Sequence, residues 1–172
     1  FFCTCGMGFD AHVSMLFARS GKRGLATYAR TVLSEGMKYK GEEYDVSLED
    51  GTGTPQHLKA YLIACANAAQ YGNNTYIAPG ASMQDGLLDV IVMEPFGATA
   101  APKMLMELFT KAILRNRHVR HFQVRSLHIH RAQEGPVHFD GDPAVMGTDI
   151  DIQIVPRGLH VLANPKSIEE GR

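Results

Sequence analysis

Two short acidic turns hold the residues whose types and spacing could do chemistry. In His138-Phe139-Asp140-Gly141-Asp142-Pro143, two carboxylates stand two residues apart at a bend. Glycine between them tolerates a positive φ, so both acids could face one side, where mutual repulsion would raise one pKa and make a general base. Asp-Gly is also common in hairpin turns, and spacing alone leaves a plain turn open. The second turn runs Ala78-Pro79-Gly80-Ala81-Ser82-Met83-Gln84-Asp85-Gly86-Leu87. A kinked backbone offering carbonyls around Asp85 suits a hard divalent cation such as Mg²⁺, which takes oxygen ligands and keeps waters; the alternative is a turn leading into a strand.

Other groups are weaker candidates. Gly6-Met7-Gly8-Phe9-Asp10 precedes a helix, whose backbone N–H groups could meet a phosphate, but Ala11 leaves the dinucleotide fingerprint incomplete. A strand-to-helix turn is the simpler reading. His128 and His130 share one strand face, which zinc or plain solvent could cover. Arg115, Arg117, His118, Arg120, His121 and Arg125 form a basic cluster after a helix. That cluster is either a solvated face or a surface for anionic headgroups or a phosphorylated product.

These residues must be positioned by strands and a few helices. Val13, Leu16 and Phe17 predict a helix over 10–19 capped by Asp10; Leu25, Tyr28, Ala29, Val32 and Leu33 predict a second one ending at Gly36. Tyr44, Val46 and Leu48 alternate, 50–53 has turn chemistry, and 58–65 is a β-rich run, which together read as a hairpin. Residues 87–93 predict a buried strand, and 101–114 an amphipathic helix capped by Thr99. Strands are then expected at 122–124, 127–130, 137–139, 150–155 and 159–162, with Gly141-Asp142-Pro143 as a separator. The fold class is mainly β with a few helices (α+β), an antiparallel β-sandwich forming a single domain over 1–172. Residues 164–172 read as a flexible or interdomain tail.

Composition narrows the partners. The chain has 172 residues, 45% hydrophobic and 20% charged, which suffices for one core without staples. A formal net charge of −1 offers no global field for nucleic acid, so none is expected as a partner. Cys3, Cys5 and Cys65 cannot all pair and lack a zinc-site spacing; they read as reduced core residues of a cytoplasmic protein. No apolar run reaches the ~20 residues that span a bilayer. The abrupt opening Phe1-Phe2-Cys3-Thr4-Cys5 reads as a fragment boundary.

Taken in order, Gly6-x-Gly8-Phe9-Asp10-Ala11, Ala64 to Asn67, Ala78-Pro79, Asp85-Gly86-Leu87-Leu88-Asp89-Val90 and Phe139-Asp140-Gly141-Asp142-Pro143 resemble the C-terminal domain of the diacylglycerol kinase and sphingosine kinase superfamily, particularly its soluble bacterial lipid kinases. The resemblance implies the C-terminal half of a two-domain, ATP-dependent lipid kinase that transfers the γ-phosphoryl group to a lipid hydroxyl. The N-terminal domain, which binds ATP through a Gly-Gly-Asp-Gly-Thr motif, is absent from this chain, so the piece alone would be inactive. The near match Glu49-Asp50-Gly51-Thr52-Gly53 lacks the paired glycines and reads as a turn. Residue by residue, the resemblance implies Mg²⁺ at the Asp85 side chain with the carbonyls of Ser82 and Leu87, and a proton acceptor in Asp140-Gly141-Asp142. There the family's usual glutamate is Asp142, one methylene shorter, which leaves open which acid is the base. Peripheral contact with the inner membrane surface and homo-oligomerisation are compatible with this reading. The alternatives are an NAD kinase-related phosphotransferase domain and a non-catalytic lipid-binding module.

Overall fold

A computed structural model of the chain describes residues 1–21, 25–36, 38–48, 54–160 and 162. Among the described residues the architecture is mostly antiparallel β-sheet with three α-helices, as expected. The strands are β1 Thr4–Gly8, β2 Glu42–Leu48, β3 Gln56–Ala60, β4 Leu62–Ala66, β5 Gln70–Gly72, β6 Thr75–Tyr76, β7 Leu88–Met93, β8 Val119–Val124, β9 Ser126–Arg131, β10 Gly135–Phe139, β11 Asp142–Met146 and β12 Asp149–Gln153. The helices are α1 Phe9–Arg19, α2 Leu25–Gly36 and α3 Ala101–Phe109. Six strands pair in the order β11-β10-β1-β4-β7-β8, four in the order β12-β9-β2-β3, and β5 with β6 make a small separate hairpin.

Strand alternation explains the layers. On β7, Leu88, Val90 and Val92 face the four-stranded sheet and meet Tyr44, Val46, Ile129, Ile150 and Met7 in one core. Ile91 and Met93, on the other face, join Phe9, Val13, Met104 and Ile113 in a second core beneath α1 and α3. Strand β7 is buried on both faces, which is why 87–93 reads as a continuous apolar run. Fully burying one such isoleucine or valine contributes roughly 1.5–3 kcal/mol.

Several boundaries differ from the sequence reading. The run 58–65 is two strands in different sheets, because Tyr61 switches the chain from one to the other. Its N–H donates to Met93 O at 2.6 Å, its carbonyl accepts from Phe9 N at 2.9 Å, and its ring packs on Phe9 and Phe96. Helix α1 starts at Phe9 with Gly8, not Asp10, in the capping place. Gly8 has φ 89°, and a Cβ there would lie 2.7 Å from Tyr61 O, so only glycine makes this turn. Helix α3 stops at Phe109 rather than continuing to 114; Thr110 Oγ1 bonds back to Met106 O, and Lys111 takes φ 61°. Thr99 makes no side-chain cap.

The supposed separator at 142–143 is the start of a strand: Asp142 pairs with Phe139 and Pro143 with His138, with Pro143 on the edge strand where its missing N–H costs nothing. The β5–β6 hairpin was not predicted; Asn73 and Asn74, at φ 48° and 59°, supply its turn. Strand β12 ends at Gln153, and 159–160 form no strand. The turn at 49–53, Val161 and the tail 164–172 lie outside the described residues.

His128 and His130 are satisfied across the strand pair, by Asp151 at 2.8 Å and Asp149 at 2.9 Å, and His57 pairs likewise with Asp45. Among the described residues no group of three or more His, Cys, Asp and Glu could hold a metal ion. The face is a solvated His–Asp ladder. At its rim, the buried Arg131 closes the sandwich: its guanidinium donates to the carbonyls of Gly135 and Met146 at 2.8 Å each, Gly147 at 3.2 Å and Pro136 at 3.3 Å. Replacing Arg131 with methionine keeps the apolar stem and strands these acceptors. We expect a loss of about 3 kcal/mol in urea unfolding, with an unchanged m-value.

Candidate functional site

The β1 start, β4 end, β7 start, β10 end and β11 start all lie at one end of the six-stranded sheet, by the pairings Thr4↔Ala66, Ala66↔Asp89, Cys5↔Phe139 and Phe139↔Asp142. Both acidic turns are therefore at the same sheet end. Strands β10 and β7 are separated by β1 and β4, which puts the turns about 14 Å apart at the usual strand spacing. They are two places, not one site.

In the first turn, Asp140 takes φ 53° and aims its carboxylate back at the chain before β1. Oδ2 accepts from Phe2 N at 2.7 Å; Oδ1 accepts from Cys3 N at 2.8 Å and Thr4 N at 2.9 Å. Partial burial pushes the carboxyl pKa up, the three N–H donors push it down, and the net shift is downward. The expected repulsion-raised base is thus not Asp140. Nor do the two acids face one side: Asp142 sits opposite Phe139 in the ladder, on the inter-sheet face, and its side chain is exposed. Asp140 ties the turn to the β1 lead-in, and Asp142 remains available at the sheet end.

A cleft of about 750 Å³ opens beside this turn, lined among others by Thr4, Asp10, Ser14, Phe17, Gln70, Tyr71, Asn73, His138 and Asp140. Its floor is a cluster that sequence reasoning missed. His138 and Asp10 are 3% and 8% exposed, and their Nε2 and Oδ2 are 3.1 Å apart. Tyr71 OH donates to the same Oδ2 at 2.9 Å, and Ala11 N donates to Oδ1 at 2.8 Å. Gly141 N donates to His138 Nδ1 at 3.4 Å, so Nε2 carries the hydrogen that faces Asp10. This cluster exists because Gly6, between His138 and Ala64 in the sheet, has no side chain; a Cβ there would run into both Asp10 Oδ2 and His138 Nε2. The signal was present in Gly6-x-Gly8-Phe9-Asp10, but Asp10 read as a cap and His138 as one of eight histidines.

The second turn is built by its own side chains. Asp85 Oδ1 accepts from Leu87 N at 2.9 Å, Ser82 Oγ accepts from Gln84 N at 3.3 Å, and Gly86 takes φ 73°. Asp85 and Ser82 are exposed. An exposed carboxylate is an oxygen donor of the kind taken by a hard cation that keeps most of its waters. Four residues on, Asp89 is 1% exposed; Oδ1 contacts His121 Nε2 at 2.6 Å and Gln123 Nε2 at 3.3 Å, while Oδ2 has no partner among the described residues.

The thiols differ from the expectation in one respect. Cys5 and Cys65 are buried, and burial pushes the Cys5 pKa up to about 12 and raises that of Cys65, which keeps both protonated. Cys3 is exposed at the cleft, with a pKa raised by partial burial and by Asp140.

The folded-state pKa of Asp140 lies below its unfolded value, so its contribution is present above about pH 4 and is lost as pH falls through the lowered value. Asp140→Asn keeps the shape but not the charge-assisted bonds. It should lower stability at pH 7 by roughly 1–2 kcal/mol and should flatten the acid limb of a thermal-melting profile below about pH 4.

Comparison with known proteins supplies the lineage. The chain is 23% identical over 142 residues to a "Probable lipid kinase YegS-like" of Shewanella frigidimarina, covering 83% of this chain and 44% of that protein. It is 26% identical over 166 residues to an uncharacterized protein of Synechocystis, covering 92% of this chain and 37% of that one. The chain thus spans less than half the length of these curated relatives. Among solved structures, "a putative diacylglycerol kinase from Bacillus anthracis str. Sterne" superposes with a TM-score of 0.60 at 18% identity, covering 91% of this chain and 50% of that one, a likeness of fold. The description "YegS C-terminal NAD kinase beta sandwich-like domain" matches residues 3–163, nearly the whole chain, and the protein belongs to that lipid kinase-like family.

Proposed function

We propose that this chain is the acceptor-side half of an ATP-dependent lipid kinase, and that the cleft floored by Asp10, His138 and Tyr71 receives the polar head of the lipid alcohol. The observation that carries this reading is the buried Asp10–His138 contact at the base of a cleft whose walls mix Phe17 and Ala68 with hydroxyl and amide side chains. Such a lining suits a molecule with one hydrogen-bonding end and an apolar body. Asp10, Ser14 and Thr4 offer acceptors to a hydroxyl; Phe17 accompanies the chain behind it.

In the reaction, the acceptor oxygen forms a bond to the γ-phosphorus of ATP, the bond from that phosphorus to the β,γ-bridging oxygen breaks, and ADP leaves. The hydroxyl proton goes to a carboxylate. Between the two acids implied by the resemblance, Asp142 suits that role: Asp140 already accepts three backbone N–H bonds and is a poor base, while Asp142 is exposed at the sheet end, on the face away from His138, so the reacting hydroxyl stands at that end, beyond the polar groups held on the cleft floor. The chain's other tasks are to orient the head and to close the acceptor side of the cleft. Mg²⁺ held at Asp85 with the carbonyls of Ser82 and Leu87 would supply positive charge that steadies the loop beside β7. ATP would be held by a domain outside this chain, so the 172 residues alone should not phosphorylate lipid.

Transfer of label from γ-labelled ATP, with the protein at its full encoded length, tests the reading. A lipid alcohol should be labelled. Asp142→Asn should lower kcat by about 10²–10⁴-fold, and Asp10→Asn should act on KM for the lipid more than on that for ATP. Labelling of NAD in place of every lipid offered, or undiminished turnover in both variants, would remove the proposal.

A further inference from the structure

Helix α3 turns an apolar face to solvent that none of the described residues covers. Met104 and Leu108 point into the core, yet Leu105, Met106 and Phe109 are 48%, 59% and 51% exposed. At 100° per residue, 105, 109 and 106 fall within a 100° arc on the opposite side. A helix apolar on both sides at a protein surface is an interaction element.

Charge around this face is one-sided. From Lys103 to Arg117 the sequence contains four lysines and arginines and a single acid, Glu107, in a chain whose net charge is −1. Glu107 is buried and is met by Asn116 and Lys103. Lys103, Lys111, Arg115 and Arg117 are all exposed, flanking the apolar arc within 15 positions of sequence. Arg120, also exposed, is neutralised by Glu94 at 2.7 Å. A second copy docked by two-fold symmetry would bring these like charges together, whereas an anionic bilayer would meet apolar side chains with its acyl boundary and the cations with its headgroups.

We propose that α3 and the basic segment after it form a docking surface for an anionic lipid bilayer. The placement has a consequence for the cleft. Helix α3 packs against β6, and Lys111 Nζ lies 4.5 Å from the Tyr76 ring centroid. The other flank of the same β5–β6 hairpin, Tyr71, Gly72 and Asn73, lines the cleft. Docking through α3 therefore brings one wall of the cleft to the membrane in which a lipid alcohol resides. This purpose rests on the lipid-acceptor reading, but the docking itself is measured without catalysis and stands or falls separately.

The test is co-sedimentation of the protein, at its full encoded length, with vesicles of phosphatidylcholine alone or with about one-third phosphatidylglycerol. Binding should require the anionic lipid and weaken with salt. Leu105→Glu with Phe109→Glu, and separately Arg115→Glu with Arg117→Glu, should each lower binding roughly tenfold or more at unchanged thermal stability, since all four side chains are exposed. Equal binding to neutral vesicles, no binding to either, or full binding by both variants would overturn the proposal. So would a dimer in sedimentation equilibrium that the Leu105→Glu, Phe109→Glu variant dissolves, because the face would then belong to a second copy.

Discussion

One missing side chain sets the geometry of the cleft. Because Gly6 presents only hydrogen, Asp10 on α1 and His138 on β10 meet over the middle of β1, and α1 lies close on the six-stranded sheet. A buried carboxylate against a buried imidazole is costly unless each polar atom is used, and here Ala11, Tyr71 and Gly141 complete the pattern. The contact joins three distant parts of the chain: the first helix, the β5–β6 hairpin and the acidic turn. Gly8 follows the same logic one step on, since its conformation lets Phe9 N reach Tyr61 O and begins the helix at the right depth.

The acidic turn at 140–142 gains a division of labour that spacing could not show. Asp140 works on the chain that folds back to it, holding the lead-in to β1 through three N–H bonds, while Asn67 holds the same segment from the other side through Phe2 O and Cys3 O. Asp142 begins an edge strand and faces away from His138. Two acids separated by one glycine thus point in unlike directions, because a two-residue hairpin turn places its second flanking residue in ladder register. Repulsion between them never becomes the dominant influence on Asp140.

What was legible in the sequence follows from how local each signal is. Alternation on 44–48, 127–130, 137–139 and 150–153 reports the buried face of each strand directly, so the sandwich could be read. The sheet switch at Tyr61 could not, since an apolar run looks the same whether it continues or changes layers. Strand β11 was hidden because Asp-Pro is a turn signal everywhere except on a sheet edge. The turns at Asp85 and Asp140 were found from their residue types, and the resemblance of the ordered motifs to bacterial lipid kinases agrees with the family and the fold. The Asp10–His138–Tyr71 cluster was not found: its members are 61 and 128 positions apart, and only the packing across Gly6 unites them.

The central claim is that this cluster floors the site where the lipid head binds. Its most direct test is nuclear magnetic resonance of the protein at its full encoded length, titrated with a short-chain diacylglycerol that stays dispersed in water. Saturable shifts of the Gly6 and Gly141 amides and the His138 imidazole, lost in Tyr71→Phe with Asp10→Asn, are the predicted result. Saturable shifts confined to the outer face of the four-stranded sheet, with Gly6, Gly141 and His138 unmoved, would contradict it.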